Sequence, residues 1–128
     1  MNYLLVDQDN QIIRLSLDEA RQFLPPYEYY LIEIYHEENS TSGTHLCQVP
    51  VVVNETQRIT TLRITTESLL LTGLYRFKVY GQSSPTNINP NDASVVGVCE
   101  IGLMILTDDA GYFNIPNISI DNDVIYNG

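Results

Sequence analysis

Apolar residues in this chain fall in short runs, and within each run they alternate with polar ones. A period of two sends successive side chains to opposite faces of a strand. Residues 73–82 give the clearest case, with Tyr75, Phe77 and Val79 alternating against Arg76, Lys78 and Tyr80. In residues 28–36, Tyr30, Ile32 and Ile34 share one face. Tyr29, Leu31, Glu33 and Tyr35 share the other, which is half polar and is expected to meet solvent or a partner. Residues 45–53 read as one strand with Cys47, Val49, Val51 and Val53 on one side. Pro50 has no amide hydrogen to donate, so that strand is expected at a sheet edge or with a bulge. Residues 58–65 form a strand with Leu62 and Ile64 inward. Residues 95–106 form another, with Cys99, Ile101, Leu103 and Ile105 on one face.

The ends of the chain are less regular. Residues 2–6 and 11–17 flank the turn Asp7-Gln8-Asp9-Asn10, which suggests a hairpin or a bent edge strand. Residues 16–23 have room for one or two helical turns, with Ser16 as N-cap and Glu19 completing a capping box. Leu17, Ala20 and Phe23 or Leu24 would share a face there, and Pro25-Pro26 ends the segment. Polar loops are expected over 37–44 and 82–91, and Asp108-Asp109-Ala110-Gly111 reads as a turn. Residues 112–128 are rich in Asn, carry Pro116, and read as an extended arm or a last edge strand that orders against a neighbour.

About seven short strands with little helix predict an all-β, antiparallel β-sandwich over residues 1–111, with the arm at 112–128. Leu71-Thr72-Gly73-Leu74-Tyr75-Arg76-Phe77 resembles the corner before strand F of immunoglobulin-like domains. That resemblance implies a Tyr75 hydroxyl bonded back to the preceding crossover, Gly73 setting the corner, and Phe77 in the core. An ordinary strand that starts at Gly73 would carry the same residues.

With 128 residues, the chain can bury about 65–70% of its unfolded surface in one core, so neither metal nor disulfide is required for folding. Sixteen Asp and Glu against six Lys and Arg give a net charge of -10, which repels phosphate. Nucleic acid and anionic membranes are therefore not expected partners. No apolar run approaches the roughly 20 residues that cross a bilayer, and Asp7 and Asp9 interrupt any export signal. Two cysteines, Cys47 and Cys99, are too few for a disulfide framework. Each is expected as a small buried side chain, with a single bridge between core strands as the alternative.

Catalytic chemistry finds little support. His36 and His45 each flank a loop, with no acidic or cysteine ligand expected at metal spacing beside either one, and are expected at the surface. No nucleophile elbow and no phosphate-cradling glycine loop occurs. The valines around Cys47 argue for an inert thiol rather than a Cys/His nucleophile pair. Asp7-Gln8-Asp9 starts like a calcium loop but fails, because Ile12 stands where the loop needs Gly. Asp108-Asp109 and Asp121-Asn122-Asp123 read as solvated turns, and the sequons at Asn39, Asn54 and Asn117 as incidental. No enzyme activity, metal or cofactor is expected. Nine tyrosines and no tryptophan suit a protein whose surface is contact area, although tyrosines also pack at core margins. Tyr29, Tyr35 and Tyr80, with Ile118, Ile120 and Tyr126 of the arm, are the candidate partner contacts.

One stretch carries a family resemblance. It runs from Thr72-Gly73-Leu74-Tyr75-Arg76-Phe77-Lys78-Val79-Tyr80 through Gly81-Gln82-Ser83-Ser84-Pro85-Thr86-Asn87-Ile88-Asn89-Pro90 to Val98-Cys99-Glu100-Ile101-Gly102. It resembles small β-sandwich virion proteins of tailed phages that infect Bacteroidetes, crAss-like phages included. Those proteins have Glu where this chain has Gly81, and Asp where it has Asn89. The resemblance implies a capsid auxiliary or decoration protein, or a head-fibre or tail component, located in the virion and assembled in the host cytoplasm. Its expected partners are the major capsid protein or other virion proteins, with self-association as a further possibility. Asn87, Asn89 and Pro90 would stiffen the crossover loop, and Glu100 would receive a bond from it. A glycan- or receptor-binding module is the reading from another class, weakened by the lack of tryptophan.

Overall fold

A computed structural model describes residues 2–38, 43–56 and 58–108. It contains eight strands: β1 (Asn2–Leu5), β2 (Gln11–Leu15), β3 (Tyr29–His36), β4 (His45–Gln48), β5 (Val51–Glu55), β6 (Thr60–Ile64), β7 (Gly73–Gln82) and β8 (Val95–Thr107). They form a five-stranded sheet in the order β1-β8-β7-β3-β4 and a three-stranded sheet in the order β2-β6-β5. All pairings are antiparallel except β1 with β8. No α-helix occurs among the described residues, and none of their helices could cross a membrane.

The core is a single cluster drawn from both sheets. Ile32, Ile34, Tyr75, Phe77, Val79, Met104 and Leu106 come from the larger sheet, and Ile13, Leu15, Leu62 and Ile64 from the smaller. Polar ties cross between the layers where burial would otherwise strand a donor or acceptor. The Tyr30 hydroxyl donates to Glu55 Oε2 at 2.8 Å. The Gln48 side chain both donates to the Thr65 carbonyl and accepts from the Thr65 amide, each at 2.8 Å. Thr66 is fully buried, and its hydroxyl donates to the Leu5 carbonyl at 2.6 Å while accepting from the Gln8 amide at 3.1 Å.

Several expectations are corrected. Residues 2–6 and 11–17 do not pair as a hairpin but follow the bent-edge alternative: β1 joins β8 at the edge of one sheet and β2 joins β6 at the edge of the other, with Asp7 and Asn10 at positive φ in the turn between them. Residues 45–53 are not one strand. Val49-Pro50 breaks them, and β4 and β5 become edge strands of different sheets. The helical segment is a short 3₁₀ turn over Asp18–Gln22 that Ser16 does not cap, since its hydroxyl instead donates to the Arg58 carbonyl. Leu17 and Leu24 pack on the core, so of the two alternatives for that face Leu24 is the one turned inward, while Phe23 is exposed.

The largest correction concerns β8. Register with β7 sets Met104 opposite Tyr75 and Gly102 opposite Phe77 on the inner face. Ile101, Leu103 and Ile105 therefore point outward, opposite Lys78, Arg76 and Leu74. A bulge that skips Cys99 reverses the alternation, so Cys99 turns back onto the core margin. The proposed arm over 112–128 lies outside the described residues.

Candidate functional site

The outer face of the larger sheet gathers the side chains capable of recognition or chemistry. Across β1, β8 and β7, the ladder aligns Tyr3, Ile105 and Leu74 side by side. Ile101 and Leu103 continue this row along β8. Tyr3 is 48% exposed, Leu74 37% and Ile101 51%, so the row is an apolar surface rather than a second core. Arg76 borders it, its guanidinium clamped on Glu37 through two bonds of 2.9 and 2.8 Å.

The same face changes character toward β4. His45 and Cys47 lie two apart on one strand, so they project together. Glu33 lies directly opposite Cys47 in the β3–β4 ladder. His45 Nε2 is 2.8 Å from Glu33 Oε2 and 3.9 Å from Cys47 Sγ. The Tyr80 hydroxyl donates to the other carboxylate oxygen, Glu33 Oε1, at 2.7 Å. Burial alone would raise the Glu33 carboxyl, but the bonds from His45 and Tyr80 and the charges of His45 and Lys78 outweigh it and hold it low. Burial first, and Glu33 second, push the Cys47 thiol up to about 11. By themselves these groups make an unreactive thiol, not a nucleophile. Glu33, His45 and Cys47 are also the one group among the described residues with three metal-ligating side chains within reach of one another.

The sequence-derived corner residues meet around Tyr75. Its hydroxyl donates to the Leu71 carbonyl at 2.6 Å, and its ring packs edge-on against His36 with centroids 4.9 Å apart. Gly73 has φ +126, and a Cβ there would stand 3.0 Å from His36 Nε2. His36 is thus a packed corner residue rather than a plain surface one. Phe77 is buried against Gly102.

The crossover loop is held by its own side chains. Asn87 Nδ2 donates to Gln82 Oε1 and to the Asn89 carbonyl, each at 2.9 Å, and Gln82 Nε2 returns a bond to the Asn87 carbonyl at 3.0 Å. Asn87 Oδ1 accepts from the Asn89 amide, and Asn89 Oδ1 from the Asn91 amide, on either side of Pro90. Gln82 is fully buried, which makes it the anchor of this loop, and its isolated polar character at a strand end was no signal of that.

Other candidates land elsewhere. No hydrogen bond from the crossover loop to Glu100 is found among the described residues; Glu100 pairs with Val79 at the bulge instead. Burial raises its carboxyl, and the nearby charge of Glu19 adds to this. An ionised Glu100 is therefore worse placed in the fold than in the unfolded chain. The penalty is absent below the unfolded value near pH ~4.3 and grows as pH rises through the raised native value. Glu100→Gln is expected to stabilise at neutral pH by less than about 1 kcal/mol, since the group is partly solvated. Thermal melts of the two proteins should converge below pH 4.3; a gain that persists at acid pH would refute the assignment.

Tyr29 is exposed and Tyr35 half-buried, both on the outer face of β3. Tyr80 is buried, its hydroxyl spent on Glu33, and is not available to a partner. Leu31, on the same face, is fully buried as well. Ile118, Ile120 and Tyr126 lie outside the described residues. Cys47 and Cys99 are not bridged to each other; the Cys99 thiol donates to the Tyr27 hydroxyl at 3.4 Å, and Cys47 faces outward rather than into the core. No family model, curated protein or solved structure matches this chain.

Proposed function

We propose that this chain is a non-enzymatic structural protein of a phage virion, bound to the capsid surface as an auxiliary or decoration protein. The observation that carries this reading is the outward apolar row of Tyr3, Leu74, Ile101, Leu103 and Ile105. Two packed sheets already have a complete core, so a second apolar face gains nothing until a neighbour covers it. Strand order β1-β8-β7-β3-β4 against β2-β6-β5 supports an immunoglobulin-like sandwich, as does the Tyr75 bond to Leu71. The resemblance over residues 72–106 supports the virion setting. In that role the protein cements the shell by burying its apolar row between neighbouring capsid subunits. The net charge of -10 keeps it off the packaged DNA.

The test is binding to purified capsids of the phage that encodes the chain. The wild-type protein is expected to co-sediment at high copy number. Ile101→Asp is expected to weaken binding at least about tenfold, a loss of about 1.4 kcal/mol, with an unchanged melting temperature because the residue is exposed. Failure to bind capsids or co-purify with virions would overturn the reading, and a few copies at the tail would replace it with a tail component.

A further inference from the structure

Glu33, His45 and Cys47 supply a carboxylate, an imidazole and a thiol from two neighbouring strands, and their ligand atoms lie within 4.8 Å of one another. Around a tetrahedral zinc ion with bonds of about 2.0–2.3 Å, donor atoms stand roughly 3.3–3.6 Å apart. The separations of 2.8 Å from His45 to Glu33 and 3.9 Å from His45 to Cys47 straddle that spacing. The His45 side chain is 55% exposed, which leaves its ring room to turn between the two partners. We propose that Glu33, His45 and Cys47 form a binding site for zinc or a similar borderline-soft divalent transition ion, with the fourth position open to water.

The surroundings fit such a site. A ligating carboxylate is ordinarily held by a further hydrogen bond that orients it. Tyr80 does this, donating to Glu33 Oε1 at 2.7 Å and leaving Oε2 turned toward His45. The β3–β4 ladder fixes Glu33 opposite Cys47, and the β3–β7 ladder fixes it opposite Lys78, so the ligands ride on paired strands rather than on a loop. Thiolate and imidazole donors select zinc-like ions over magnesium or calcium, which prefer all-oxygen shells. Lys78 opposes the cation, while the Glu33 carboxylate and the deprotonated thiol attract it.

Binding exchanges the Cys47 thiol proton for the metal–sulfur bond, and that proton leaves to solvent.

The full-length protein, free of any polyhistidine tag, should be titrated with Co²⁺ and then with Zn²⁺ as competitor. One ion per chain is expected, with a thiolate-to-cobalt charge-transfer band that Zn²⁺ abolishes. Cys47→Ser should remove the band, whereas Cys99→Ser should keep it. His45→Gln and Glu33→Gln should each weaken binding at least about tenfold, and Tyr80→Phe by about 10–100-fold as a positioning residue. Circular dichroism of each variant separates a lost ligand from a lost fold. An absence of saturable binding to the folded wild-type protein would overturn the proposal, as would a band that survives in Cys47→Ser or disappears in Cys99→Ser.

Discussion

Phe77→Ala is expected to lower the unfolding free energy by about 3–5 kcal/mol, the range for emptying a buried aromatic site. The ring is 2% exposed and lies between Ile34 and Gly102 in the β3-β7-β8 ladder. A domain of this kind is stable by about 5–15 kcal/mol, so the variant gives up a large part of the total. Urea unfolding with an unchanged m-value would measure it. A loss below about 1 kcal/mol would mean that the ring is not a core group. The facing glycine offers an internal check. A Cβ on Gly102 would stand 2.5 Å from Phe77 Cζ, so Gly102→Ala should cost about 1–3 kcal/mol by overpacking. In a Phe77→Leu background that cost should shrink, because the two positions share one volume.

Gly81→Glu is expected to destabilise by about 3 kcal/mol or more, through overpacking and a carboxylate brought under an aromatic ring. Gly81 and Gly97 are direct partners across β7 and β8, and together they leave a flat patch without side chains. Tyr27 covers Gly81 and Leu24 covers Gly97; a Cβ would stand 2.6 Å from the nearest atom in each case. Tyr27 is buried there and meets Tyr30 edge-on with centroids 5.8 Å apart. Glutamate at this position would force Tyr27 out. Tyr27→Ala should therefore recover part of the loss in the double variant. A Gly81→Glu protein that melts at the wild-type temperature would show that the segment before β3 is not seated on this patch.

Much of the architecture was legible along the chain. Six of the short runs correspond to one strand each and the run 45–53 to two, with Pro50 marking an edge. The side-chain bonding of Asn87 and Asn89 also follows from local chemistry, since each bond spans only two to five residues. The Glu33–His45–Cys47 group was not legible. Its members belong to separate runs, and only the β3–β4 pairing brings them within bonding distance. Nor was the burial of Tyr80 or Gln82, which depends on what folds over the outer face.

Strand β8 divides the two kinds of information most sharply. Period two determines from sequence alone that Ile101, Leu103 and Ile105 share a face, and that Gly102, Met104 and Leu106 share the other. Both sets are apolar enough to be core, so alternation has no means of choosing between them. Tertiary pairing chose, because Gly102 is the one position that leaves room for Phe77 and Met104 lands opposite Tyr75. A shift of one residue would exchange the faces. Composition and periodicity thus specify which side chains travel together, whereas inside and outside are decided by the volume that the neighbouring strand leaves free.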